Sequence, residues 1–284
     1  LHTYEIHDYF YAKPEHVEFF AKQYDGRIKG NFLEFIKDRD IRESFDFSPA
    51  DLRFMKDSYD GSILYTDRYI GKLIAALKEM NLYEDTLIII TSDHGESFNE
   101  PHRDNQWVQW HHGGPPYESQ IHIPLIIKLP KSLENQPLVI NEPHSLVDIM
   151  PTLAELLQLK PANSLQGISM ASALKKRGNQ TEERVIVTIP AHRDLNAVLG
   201  LRTSDYKYIT RKDYNIDELY DLRSDPEETI NLAGEAELKD KMKEYSRLVE
   251  EYLENCEGYK SIDISEEGLP EDLKRELEAL GYLR

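Results

Sequence analysis

Apolar positions fall into two patterns along the chain. Leu52, Met55, Tyr59, Ile63, Ile70, Leu73, Ile74 and Leu77 recur at helical spacing, with Thr66 a small polar residue on the same stripe. Just before them Ser48 can cap, Pro49 suits the first helical position and Asp51 the third. This predicts one long helix, or two with a break near Gly61, ended by Asn81. The second pattern is continuous. Leu87 to Ile90 is apolar and β-branched without polar alternation, which reads as a strand buried on both faces, as in a parallel sheet. Ile123 to Pro130 reads as a second buried strand, with Pro124 at its start and Pro130 at its end. A helix followed by a buried strand is half of a βαβ unit, so the expected class is α/β, a mostly parallel sheet flanked by helices.

Elsewhere the pattern changes. Residues 12–47 are charged and aromatic without a sharp period, a surface excursion with short helical pieces, and Arg39 to Glu43 reads as a solvated face. Ser145 to Leu157 reads as a helix whose main part opens at Pro151, and the first core ends near Leu174. Lys175 to Arg184 is a polar linker, in which Asn179-Gln180-Thr181 fits a glycosylation tripeptide that is common by chance. Four short strands follow, Val185–Ile189, Ala197–Arg202, Tyr206–Thr210 and Glu218–Leu222, predicting a small antiparallel sheet on which Lys207 snorkels. Amphipathic helices are expected over Asp240–Asn255 and Pro270–Leu280.

Charge narrows the function. There are 34 basic and 52 acidic residues, a net charge of −18. That balance disfavours nucleic acid and anionic membranes, and an anionic substrate would need a bound cation to reverse the local field. No run approaches the roughly 20 apolar residues of a membrane span. The single cysteine, Cys256, excludes an internal disulfide and a thiolate metal cluster and leaves the compartment open. The chain opens at Leu1, in what reads as the exit of a strand, and the expectation is that a preceding part of the natural protein is missing.

Candidate chemistry gathers at strand ends. After Ile90 come Thr91, Ser92, Asp93, His94, Gly95 and Glu96. Open α/β sheets place ligands at the carboxyl ends of strands. An adjacent carboxylate and imidazole can both face a metal ion, and an ordinary polar turn is the competing reading. His2 and His7 lie in a loop at the start of the chain. The irregular stretch after Glu96 holds His102, Asp104, Trp107, Trp110, His111 and His112, which suits either a cleft rim or a surface aromatic cluster.

Taken in order, these segments resemble the sulfatase family of the alkaline phosphatase superfamily. His2-Thr-Tyr-Glu-Ile-His-Asp-Tyr9 is similar to its H-x-x-x-x-H-x-P-Y segment, and Tyr59 to Leu73 to its long helix. Thr91-Ser-Asp-His-Gly-Glu96 looks like its metal-ligand turn, and His112-Gly-Gly-Pro-Pro-Tyr-Glu118 with Ile123 to Ile127 like its substrate-side histidine and next strand. Asp148 to Leu153, Arg202 to Ile209, Glu218 to Leu232 and the closing Leu280-Gly-Tyr282 complete the ordered set.

The resemblance implies an alkaline-phosphatase-like α/β fold, truncated, with residues 1–178 as the C-terminal half of the catalytic domain and 179–284 as a C-terminal antiparallel sheet-plus-helix subdomain. It implies metal-dependent hydrolysis of a sulfate monoester of a small molecule or glycan. The metal is usually calcium, with manganese or zinc admitted, and Asp93 and His94 are its ligands here. His7 and His112 become the catalytic and sulfate-contacting residues, with His111 as the contact if the loop register differs by one. The nucleophile implied is a formylglycine made from the cysteine of a Cys-x-Pro-x-Arg motif. Cys256 lies in Glu-Asn-Cys-Glu-Gly and is not that residue, so the formylglycine is expected in the missing N-terminal part. Members with a serine or threonine nucleophile act on phosphate esters, so a phosphodiesterase or phosphotransferase is the alternative, and a non-catalytic fragment a third reading. The chain departs from the pattern at Tyr9, where the family has proline, and at His94, where many members have asparagine.

Overall fold

The computed structural model describes residues 1–7, 9, 14–21, 24–26, 28, 47–98, 110–112, 114–133, 136–160, 165–175, 184–189, 198–211 and 215–256. The Arg39–Glu43 charge run, His102, Asp104, Trp107, the Asn179 tripeptide and the Pro270–Leu280 helix lie outside these residues.

The first core is built around two helices. Helix α1 (Pro14–Phe20) packs on α2 (Pro49–Glu79), which is one continuous helix of 31 residues. Its start follows the local chemistry. Ser48 accepts from the Asp51 amide while the Asp51 carboxylate accepts from the Ser48 amide at 3.0 Å, a reciprocal capping box. Its end falls at Asn81, which takes the left-handed conformation at φ 57°. Gly61 does not break the helix. A Cβ there would lie 3.1 Å from the Val17 backbone nitrogen, so the glycine lets α1 and α2 approach closely.

Strand β1 (Ile88–Thr91) leads to the candidate metal turn. A hairpin follows, β2 (Ser97–Phe98) with β3 (Trp110–His111), then one helical turn, α3 (Glu118–Ile121), and strand β4 (Leu125–Lys128). β4 returns beside β1 in antiparallel register, Ile88 opposite Lys128 and Thr91 opposite Leu125. The expected parallel relation is therefore corrected for this pair, and every strand pair among the described residues is antiparallel. An unbroken apolar run reports two-sided burial, not strand direction. Here even that burial is partial: Ile88 to Ile90 are half-buried and Ile126 is 59% exposed.

Helix α4 (Ile149–Leu156) is preceded by a single 3-10 turn whose Asp148 is fully buried. Asp148 accepts from the Ser145 amide at 2.8 Å and the Ile168 amide at 2.8 Å, and pairs with Arg184 at 2.6 Å. Arg184, expected in a solvated linker, is thus an anchor to the first core. The short helix α5 (Ala171–Lys175) packs on α4.

The second sheet has order β5 (Ile186–Thr188), β6 (Leu199–Arg202), β7 (Tyr206–Arg211), β8 (Ile216–Asp221), all antiparallel. Side-chain alternation divides it into two faces. Leu199, Leu201, Tyr208 and Leu219 meet Tyr245 and Val249 of the long helix α6 (Lys239–Cys256). Ile209 and Tyr220, on the other face, meet Tyr117 at the entry to α3. Lys207 shares that second face and does not snorkel. It is 0% exposed, and its ammonium donates to Glu118 at 2.7 Å, Pro116 O at 2.9 Å and Glu228 at 3.3 Å.

Candidate active site

The site assembles from three loops. The metal turn is set by α3 behind it. The Gly95 amide donates to Gln120 O at 2.7 Å, and a Cβ at Gly95 would lie 2.2 Å from Ser119 O. Only glycine lets the turn settle onto the helix backbone at that distance. Side chains repeat the attachment: the Ser97 and Ser119 hydroxyls lie 2.9 Å apart, and buried Gln120 donates to Ser97 and accepts from the Gly114 amide at 3.2 Å.

The hairpin register places the second loop. Ser97 faces His111 and Phe98 faces Trp110, so one step further brings His112 opposite Glu96. The pair is made, His112 Nδ1 to Glu96 Oε2 at 3.2 Å, with the Glu96 side chain only 4% exposed. A carboxylate accepts, so Nδ1 carries the proton and the ring presents Nε2 outward. His111 has a described backbone in β3, and its side chain lies outside the described residues.

The third loop carries His7. It is held through Tyr9, two residues on, which is fully buried against Tyr59 of α2 and Phe98 of β2, with ring centroids 5.5 and 5.7 Å away. Met55 and Ile28 complete this cluster. Burial first, then the Glu96 charge and Tyr59, pushes the Tyr9 hydroxyl far above its ordinary range, so it stays neutral. The residue that departs from the family pattern is therefore a core anchor. As a result His7, His94 and His112 converge. His94 stacks on His112 at 4.0 Å, while His7 lies 5.0 Å from His112 and 6.2 Å from His94. His2 stands apart, reaching His7 only by way of Tyr4.

Asp93 and His94 have the donor chemistry a cation needs. His94 Nδ1 lies 2.7 Å from Gly95 O. A carbonyl can only accept, so Nδ1 bears the hydrogen, and in the neutral ring Nε2 keeps its lone pair. That nitrogen is 3.8 Å from Asp93 Oδ1. The same Asp93 oxygen accepts from the His94 amide at 3.1 Å, and the carboxylate and the imidazole lone pair are donors that a cation could share. Both side chains are reachable, Asp93 59% and His94 34% exposed. The backbone contact that fixes the tautomer is the outer-shell support common among ligating histidines. Among the described residues no cluster of three or more metal-ligating side chains gathers.

Sequence reasoning passed over the scaffold beneath these residues: Gln120, Ser97 and Ser119. Their signal was faint. Tyr117-Glu118 reads as the start of a short helical or extended piece, and only the hairpin register reveals what that piece supports.

The chain is 27% identical over 212 residues to an arylsulfatase of Clostridium perfringens, covering 73% of this chain and 42% of that protein. It is 29% identical over 210 residues to an N-acetylglucosamine-6-O-sulfatase of Bacteroides thetaiotaomicron, covering 70% and 35% respectively. The chain thus spans about two-fifths of the length of the curated relatives it matches. Among solved structures it resembles a phosphonate monoester hydrolase of Agrobacterium radiobacter, at 26% identity and a TM-score of 0.57 over 72% of this chain and 42% of the other. A protein solved with its substrate D-glucosamine-2-N,6-O-disulfate superposes with a TM-score of 0.61 over 93% of this chain and 61% of the other, and at 20% identity it speaks for the fold alone. The C-terminal model of N-sulphoglucosamine sulphohydrolase matches residues 108–255. The sulfatase model matches residues 1–159, more than half the chain and every residue of the histidine cluster, and the chain belongs to the sulfatase family.

Proposed function

We propose that this chain carries one wall of the metal site and the proton-handling histidines of an enzyme that hydrolyses a sulfate monoester. The observation behind this reading is the convergence of His7, His94 and His112 beside Asp93, with the His94 and His112 tautomers both set by their acceptors. Asp93 and His94 would hold a divalent cation, calcium in most of the family, with zinc the ion that the imidazole donor favours and manganese one that the carboxylate suits. When bound, that cation supplies charge stabilisation to the non-bridging oxygens of the ester.

The chain's own residues do the rest. The Glu96 carboxylate accepts a hydrogen bond from His112 Nδ1–H, fixes the ring and supports its imidazolium form, in which Nε2–H gives its proton to the departing alcohol oxygen and the ring is left neutral. His7, in ring contact with His112, binds a sulfate oxygen. Residues 1–178 form the C-terminal half of the catalytic domain and 179–284 its subdomain. The 284 residues contain no Cys-x-Pro-x-Arg motif, and alone they are expected to show no turnover. The substrate is a small-molecule or glycan sulfate. No described helix is long and apolar enough to cross a membrane.

A phosphonate or phosphate ester is the second reading, favoured by the likeness to the Agrobacterium hydrolase. The full-length protein is assayed on 4-nitrophenyl sulfate, bis(4-nitrophenyl) phosphate and phenyl phosphonate esters, with and without chelator. Chelator-sensitive sulfate release, reduced at least 100-fold by Asp93→Asn and by His112→Ala, is expected. Turnover of the phosphorus esters alone, or sulfate release by the isolated 284 residues, overturns the assignment.

A further inference from the structure

Helix α3 is too short to fix its own position. It has four residues, and Tyr117 at its entry gives no side-chain cap. An isolated turn of this length has no stability of its own, so its neighbours must place it. Those neighbours lie in the second sheet. The Glu118 amide, an orphan donor of the first turn, donates to the carboxylate of Glu228 at 2.7 Å, a cap supplied from far along the chain. The Glu118 side chain pairs with Lys207 at 2.7 Å and Arg202 at 3.4 Å. Lys207 closes the circle through Glu228 and Pro116 O. Tyr117 donates to Glu218, which also pairs with Arg211.

The opposite side of α3 is the surface on which the metal turn rests. Gln120 O accepts from the Gly95 amide, and Ser119 O occupies the space where a side chain at Gly95 would stand. The distance from the buried ion pairs to Asp93 and His94 is thus bridged by one rigid turn of backbone.

We propose that Lys207, with Glu118 and Glu228, is a positioning residue: it locks α3, and α3 sets the placement of the Asp93–His94 turn. The consequence for metal binding rests on the reading of that turn given above, whereas the consequence for the turn's backbone does not. The antiparallel sheet of β5 to β8 would then be part of the apparatus that shapes the site.

The test is amide hydrogen exchange on the full-length protein, together with calorimetric titration by calcium and manganese. Lys207→Met is expected to raise exchange at Gly95 at least tenfold and to weaken metal binding comparably. Amides of α6, on the far face of the sheet, should be unchanged. Val249→Ala loosens that far face and serves as the control: it should lower thermal stability and leave Gly95 exchange alone. The double variant Lys207→Met/Glu228→Gln removes the cation and one carboxylate together and replaces the single variant if that does not fold. Unchanged Gly95 exchange in a folded Lys207 variant, or an equal rise in Val249→Ala, overturns the proposal. Faster Gly95 exchange in a protein that binds neither metal upholds the positioning role and sinks the metal-site reading instead.

Discussion

Glu228 is 1% exposed and shares one lysine with Glu118. A single ammonium cannot neutralise a buried and a partly buried carboxylate equally. Burial would raise Glu118, but Lys207 and Arg202 outweigh it and hold that carboxyl below its ordinary value. For Glu228 burial wins over Lys207 and the Glu118 amide, with the Glu118 charge adding to the rise, and the carboxyl is pushed up from 4.5 to about 7. Tyr220 is the other titratable group facing it. The sign follows from proton binding. Between 4.5 and about 7 the folded protein keeps the Glu228 proton that the unfolded chain has lost. Stability therefore falls as pH rises: the contribution is whole below 4.5 and gone above about 7. At about 1.4 kcal/mol per pH unit, the interval corresponds to about 3 kcal/mol. Glutamine mimics the protonated acid. Glu228→Gln should therefore match the wild type near pH 4.5 and exceed it by about 3 kcal/mol at pH 8. Urea denaturation of both proteins across that range, taken as a difference to cancel every other titration, measures it. Two parallel stability curves would refute the argument and mean that Lys207 holds both carboxylates ionised.

Two further perturbations probe other contacts. Gly95→Ala drives a methyl into Ser119 O, a backbone atom that cannot swing aside, and should cost about 1–3 kcal/mol in stability and about 100-fold in turnover, read by denaturation and steady-state kinetics. Asp148 carries the opposite pH dependence to Glu228: burial opposes its charge, but His144, the Ile168 and Ser145 amides and Arg184 hold the carboxyl well below 3.8, so its stabilisation is present above that value and lost only in stronger acid. Asp148→Asn leaves the half-buried Arg184 without its anion and should cost about 3 kcal/mol, with the acid limb of the stability profile flattened.

What could be read from the residue order was whatever is decided within a few residues. Ser48, Pro49 and Asp51 announce a helix start because the cap is made among themselves, and Asn81 ends the same helix by its own tolerance of the left-handed backbone. The alternation of β7 and β8 was equally plain. What alternation leaves open is what each face meets. Tyr-Lys-Tyr-Ile-Thr-Arg has the look of one apolar and one solvated face, yet Lys207 and Arg211 are both buried because the second face is covered by the segment around α3. A charge at period two names its face and not its neighbour, and this is how the most buried lysine of the described chain came to be expected in water. The site divides along the same line. Asp93 and His94 stood out because a carboxylate and an imidazole sit side by side in one turn. Whether His111 or His112 joins them depends on a hairpin register whose defining pairs, Ser97 with His111 and Phe98 with Trp110, are set across the intervening residues 99–109. The direction of β4 against β1 was hidden for the same reason, since apolar continuity is blind to polarity of the chain. The candidate site residues thus stand in short, legible stretches, whereas those that hold them in place are distant in sequence and become visible only when the sheet faces are known.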